Sequence, residues 1–187
     1  FTPVQIAQIG QWAENVYFGK PCGLMDQMAS AVGGVVAIDF ADPAVPQVRR
    51  LDADLQALGY ALCILDSGAD HAALTDEYAA IPAEMNAAAA VFGKTCLRDV
   101  AETDFYARLA EVRRAAGDRA ALRAMHFFDD DRRVSRQADA LARGDIDEFL
   151  RLVNESGRSS WMLLQNVVPR GQTREQPMAV ALALAEK

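Results

Sequence analysis

Histidine is nearly absent from this chain. There are two in 187 residues, His71 and His126, and no His/Cys pair has the spacing of a zinc ligand set. That argues against a structural or catalytic zinc. Cysteine is scarce as well: Cys22, Cys63 and Cys96 are odd in number and widely separated. They fit reduced thiols in a cytoplasmic protein better than a disulfide framework. No apolar run approaches the roughly 20 residues that cross a bilayer, so no membrane association is expected. Positive charge is in short supply, with 19 Lys and Arg against 26 Asp and Glu and a net charge of −7. Affinity for nucleic acid rests on neutralising phosphates with cations, so the balance weighs against such a partner. Neither G-x-x-x-x-G-K-[ST] nor a convincing G-x-G-x-x-G occurs anywhere, which leaves the chain without a phosphate-binding loop of those kinds.

What remains has the profile of a globular protein, 51% apolar and 24% charged, with a length that suits one large domain or two small ones. The chain opens on Phe1 rather than Met, so it reads as a cut or processed piece. Thr2-Pro3 pairs a capping hydroxyl with proline at the first helical position. Ile6, Ile9, Ala13 and Val16 then recur at helical spacing and predict an amphipathic helix with one buried stripe, ended by Gly19 and Pro21. A short helix is expected from about Gln27 to Val32, capped by Asp26 and stopped by Gly33-Gly34.

The next stretch is β-rich. Val35 to Phe40 and Gln47 to Leu51 read as strands around the Asp42-Pro43 turn, and Tyr60 to Leu65 as a third, buried on both faces, with Cys63 in the core. Helices dominate from Leu74 onward: Thr75 to Phe92, with Pro82 kinking it or marking its true start; one carrying Phe105, Leu109 and Val112; about Arg119 to Arg143; one opened by Asp145 with a stripe of Ile146, Phe149, Leu150 and Val153; and Pro177 to Lys187. Ser159 to Val168 fits helix or extended chain. The fold class is therefore α+β, with a small antiparallel or mixed sheet of about three strands followed by a mostly helical region.

Pro21-Cys22-Gly23-Leu24-Met25-Asp26-Gln27 is the stretch most suited to chemistry, because it sets a carboxylate just after a glycine-containing turn. Read alone, an Asp before a short helix is most often a cap and less often a group that orients or deprotonates a hydroxyl, and one carboxylate can do both. His71 and Tyr78 follow the third expected strand, where a phenol can bond and pack against a sugar ring or merely wall the core. Asp129-Asp130-Asp131 cannot chelate one ion from a helix, because consecutive side chains diverge. It reads as a solvated face with Asp129 pairing Arg133. Cys22 has no electropositive neighbour except Lys20.

Glu14, Gly19, Cys22, Gly23, Met25, Asp26 and Gln27 together resemble the Cys-Gly-x-Met-Asp-Gln region of the galactokinase branch of the GHMP small-molecule kinases. The likeness continues through Gly34–Asp39, Asp66-Ser67 with His71 and Tyr78, Cys96–Val100, Arg123-Ala124-Met125-His126, Gly144-Asp145 and Glu155-Ser156, covering residues 1 to about 160. It implies a two-domain kinase fold in which residues 1–68 belong to the N-terminal domain and 69–187 to the helical part of the C-terminal one. It also implies ATP-dependent phosphorylation of the anomeric hydroxyl of galactose or a related sugar. Asp26 is then the base or orienting group, and Gly23 and Tyr78 are sugar contacts. ATP and Mg would be the cofactors, with their binding motifs outside this chain. That makes the chain an internal piece, without productive ATP binding of its own and with an unpaired sheet edge where neighbours are missing. The sequence departs from the pattern at Ile81-Pro82, where paired arginines are expected, at Gly157 for a histidine, and across Trp161–Asn166. A kinase for another sugar and a non-catalytic, sugar-responsive protein on the same scaffold fit the same residues.

Overall fold

The computed structural model describes residues 1–19, 22–68 and 74–187. The chain divides into two compact units, residues 1–60 with 137–149 and residues 61–136 with 150–187. The architecture is α+β, as the pattern predicts.

The first unit opens with α1 (Pro3–Trp12), held by a full capping box: the Thr2 hydroxyl accepts from the Gln5 amide at 3.2 Å, and Gln5 Oε1 accepts from the Thr2 amide at 2.9 Å. Its last turn widens into a π-helical turn, Ala13–Tyr17. α2 (Met25–Val32) packs on α1, and β1 (Val35–Asp39) pairs antiparallel with β2 (Gln47–Leu51), Val35 opposite Leu51 and Asp39 opposite Gln47. Ala7, Leu24 and Met28 are the buried centre, flanked by Val4, Ala31, Val32, Ile38, Phe40 and Val48. The expected buried stripe of α1 is overturned. Ile6, Ile9 and Val16 are half or more exposed, and the buried position is Ala7. A small residue faces α2 because the helices approach closely: a Cβ on Gly10 would lie 3.3 Å from Gln27 Cγ.

The third strand is also overturned. Tyr60–Leu65 forms no ladder, and Leu62 and Ile64 are 88% and 95% exposed. Among the described residues the sheet has two strands, and an apolar run without a strand partner leaves its N–H and C=O groups to water, so it stays at the surface instead of in a buried ladder. Cys63 is accordingly exposed rather than core.

In the second unit α3 (Thr75–Ala90) continues through Pro82. A 3₁₀ turn, Leu97–Asp99, leads to α4 (Glu102–Ala107) and α5 (Leu109–Ala116), which divide what reads as one helix. α6 (Asp118–Ala142) and α7 (Ile146–Ser159) follow, each with residues in both units. Asp145 caps α7 as expected, accepting from the Glu148 amide at 3.1 Å. The buried leucine of α7 is Leu152, while Val153 of the expected stripe is 42% exposed. Ser160–Leu164 is a π-helical turn ended by Gln165 at φ 56°, and α8 (Pro177–Ala185) closes the chain. The core gathers Ala88, Ala89, Leu97, Val100, Phe105, Val112, Ala121, Ala124 and Phe128.

Candidate active site

The loop from Cys22 to Asp26 is fixed at two points. Leu24 is buried against Ala7 and Met28 and holds the start of α2 in the core. Two residues earlier, amide side chains grip Cys22. Asn15 Oδ1 accepts from the Cys22 amide at 2.7 Å, Asn15 Nδ2 donates to the Cys22 carbonyl at 3.2 Å, and Gln11 Nε2 donates to the same carbonyl at 3.3 Å. Gln27 Nε2 reaches the Cys22 sulfur at 3.4 Å, while Gln27 Oε1 is buried without a hydrogen-bond partner among the described residues. Between the two anchors Gly23 is open: a Cβ built there meets nothing within 4 Å.

Asp26 is not the cap it was expected to be. α2 starts at Met25, with Leu24 in the N-cap position and no side-chain capping bond, so Asp26 is the second helical residue. The helix starts early because Leu24 is buried and its carbonyl accepts from the Met28 amide at 3.0 Å. Released from capping, the Asp26 carboxylate is exposed and makes no hydrogen bond or ion pair among the described residues. A carboxylate in the first turn also interacts favourably with the helix dipole.

Tyr78 belongs to the second unit. It sits in the first turn of α3, 58% exposed, on a helix whose N-cap, Leu74, offers no side-chain acceptor. Glu77 beside it accepts from Arg170 Nε at 2.8 Å. That hydrogen bond, against a small burial penalty, lowers the Glu77 pKa. Gly23 and Asp26 are thus neighbours in one unit and Tyr78 lies in the other; His71 falls outside the described residues.

Two polar groups of the matched segment Arg123–His126 are buried on α6. Arg123 is 1% exposed. Its Nε donates to the Leu164 carbonyl at 3.0 Å, and its Nη1 lies 3.0 Å from Glu84 Oε2. Glu84 also takes Arg119. One turn along, His126 Nδ1 is 2.9 Å from Ser159 Oγ and Nε2 is 3.5 Å from Asp130, whose carboxylate also takes Ser156 and Arg133. Burial pushes the His126 pKa down, against the opposing charge of Asp130. His126 holds the end of α7 and Arg123 the π-helical turn after it, which is a scaffolding role. The three consecutive aspartates diverge as expected, Asp131 to Arg98, Asp130 to His126 and Arg133, Asp129 to Arg132 and Arg133. Among the described residues no group of three His, Cys, Asp or Glu side chains could hold a metal ion.

The loop geometry belongs to a stretch with many relatives. The chain is 34% identical over 160 residues to a galactokinase of Glaesserella parasuis, covering 81% of this chain. It is 36% identical over 154 residues to one of Actinobacillus pleuropneumoniae, covering 80%, and 36% identical over 143 residues to one of Streptomyces coelicolor, covering 75%. Over this stretch the chain is a galactokinase-family sequence. No protein-family model matches it. The chain spans under two-fifths of the length of these galactokinases, 38%, 38% and 36% respectively. No helix among the described residues is long and apolar enough to cross a membrane.

Proposed function

We propose that the complete gene product containing this chain is a galactokinase-like sugar kinase of the cytoplasm. It transfers a phosphoryl group from ATP to the anomeric hydroxyl of galactose or a close relative, with Asp26 orienting and deprotonating that hydroxyl. The observation that carries the reading is the Asp26 carboxylate itself, which is exposed in the first turn of α2 and unpaired among the described residues, within a galactokinase-family stretch. Its oxygens are committed neither to a cap nor to an ion pair among the described residues, which supports that role. Phosphoryl transfer passes through a loose transition state, so positioning of the hydroxyl counts for more than strong basicity. Gly23, with open space above it, and the exposed Tyr78 supply sugar contacts. In this reading residues 1–68 belong to the N-terminal domain of a GHMP kinase and residues 69–187 to the C-terminal one.

The Gly33-Gly34 pair does not fit a nucleotide phosphate. Gly33-Gly34 follow the C-terminal end of α2, where carbonyl groups rather than N–H groups face outward, the wrong end for phosphate. This chain by itself is expected to give no thermal shift with Mg-ATP.

The test is ADP release by the complete gene product against a panel of sugars. Asp26→Asn should lower kcat by about 10²- to 10⁴-fold without changing the unfolding midpoint. A variant with the wild-type rate would make Asp26 structural. Sugar binding without turnover in the wild type would overturn the kinase reading in favour of a sugar-responsive protein, an alternative favoured by Ile81-Pro82 and Gly157 standing where the family has arginines and a histidine.

A further inference from the structure

The clamp on Cys22 has a chemical logic that the proposed mechanism does not yet use. The Asn15 side-chain amide accepts from the Cys22 N–H at 2.7 Å and donates to the Cys22 C=O at 3.2 Å. A primary amide that pairs with the N–H and C=O of one residue copies one rung of an antiparallel β-ladder, and few side chains can do it. Asp accepts but cannot donate, Ser is too short to span both groups, and Ala does neither. Asn15 also stands in the π-helical turn Ala13–Tyr17, at the end of an otherwise regular helix. A π turn inserts one extra residue and re-aims the side chains that follow, and such turns are common at functional sites. Here the re-aimed amide meets the backbone four residues ahead of Asp26 and directly before Gly23. Downstream of that rung the loop is held by the buried Leu24 and by the Gln27 Nε2 bond to the Cys22 sulfur.

We propose that Asn15 is a positioning residue: through the Cys22 peptide it sets where Gly23 and the Asp26 carboxylate stand relative to the sugar. Gln11 supports it from one turn earlier by a single bond to the same carbonyl. This rests on the kinase reading for its catalytic consequence, but the clamp itself does not.

Two readouts on the complete gene product separate these levels. The first is the alkylation rate of Cys22 by iodoacetamide, resolved by peptide mass spectrometry with the exposed Cys63 and Cys96 as internal standards. Cys22 is half-buried, with its sulfur accepting from Gln27. Asn15→Ala should therefore speed its alkylation about tenfold, the loss expected from two hydrogen bonds, and leave the other two cysteines unchanged. The second is steady-state kinetics with galactose. Asn15→Ala should lower kcat/KM for the sugar about tenfold while the KM for ATP is unchanged, and on an Asp26→Asn background it should have little further effect on kcat. Asn15→Asp adds a signature that general destabilisation does not give. Its ionised carboxylate cannot donate to the Cys22 carbonyl, whereas its protonated form can, so its activity relative to wild type should recover as pH falls toward the carboxylate pKa. An unchanged Cys22 rate in Asn15→Ala overturns the clamp. A faster Cys22 with unchanged sugar kinetics overturns the positioning role. A wild type that turns over no sugar refutes the kinase reading and the catalytic consequence with it, and the thiol rate still decides whether Asn15 holds the loop.

Discussion

Replacing Glu84 by Gln should destabilise the protein more than replacing its buried partner Arg123 by Met. Arg123 is 1% exposed and holds the Leu164 carbonyl through Nε. Its Nη1 lies 3.0 Å from Glu84 yet has no aligned hydrogen bond among the described residues, so the carboxylate compensates the guanidinium by charge more than by a directed bond. Glu84→Gln keeps the volume and removes that charge, leaving a cation in the core. Breaking a buried pair from one side costs about 3–5 kcal/mol. The Glu84 side chain is 24% exposed, and water there screens part of the loss, so we expect about 2–3 kcal/mol. In Arg123→Met the charge and its requirement disappear together, and one hydrogen bond to Leu164 is lost, at about 1 kcal/mol. Urea unfolding followed by far-UV circular dichroism at neutral pH measures both. The pH dependence supplies a second check. Burial raises the Glu84 pKa, but the Arg119 hydrogen bond and the charges of Arg123 and Arg119 outweigh it, and the folded value is lowered. The folded state then binds fewer protons than the unfolded one. The stabilisation is full above the ordinary carboxylate pKa and is lost as pH falls through the depressed value. Glu84→Gln should flatten that acid limb. An Arg123→Met variant as damaged as Glu84→Gln, or an acid limb that survives the loss of Glu84, would refute the account.

His126 should give a separate limb at higher pH. Its lowered pKa means that stability is complete above the ordinary histidine value of about 6.5 and declines as pH falls below it; His126→Gln should abolish that slope in denaturation curves taken across the range. Gly23→Ala should leave the unfolding free energy within about 0.5 kcal/mol of wild type, since the new methyl meets nothing within 4 Å. It should also raise the galactose KM of the complete gene product about tenfold. An unchanged KM would remove Gly23 from the sugar pocket.

Most of the helices were legible because their ends carry local signals. Thr2-Pro3 marked the start of α1, Asp145 capped α7, and Gly33 and Gly144, at φ 70° and 71°, marked helix ends as glycines do. What could not be read depends on partners distant in sequence. The apolar run at Tyr60–Leu65 has a strand's composition, but a strand exists only when another backbone is beside it. Ile6, Ile9 and Val16 have the spacing of a core stripe, yet spacing does not say which face meets α2, and the close approach at Gly10 selects Ala7 instead. Asp26 was expected to cap α2 and does not, because a buried Leu24 starting the helix is a packing result. Asn15 carried no signal, since an amide paired with a peptide seven residues away depends on a π turn that no periodicity announces.

The proline inside α3 has a consequence for the residue one turn before it. In an α-helix each N–H bonds the carbonyl four residues earlier, and Pro82 has no N–H to offer. The carbonyl it leaves without that bond is the one on Tyr78. The first turn of α3, where the Tyr78 side chain is exposed, therefore also carries a main-chain oxygen without its usual helical donor. Pro82→Ala would return that oxygen to the helix. It should stiffen α3 and slow amide exchange at the residues flanking position 82, which itself has no amide proton in the wild type.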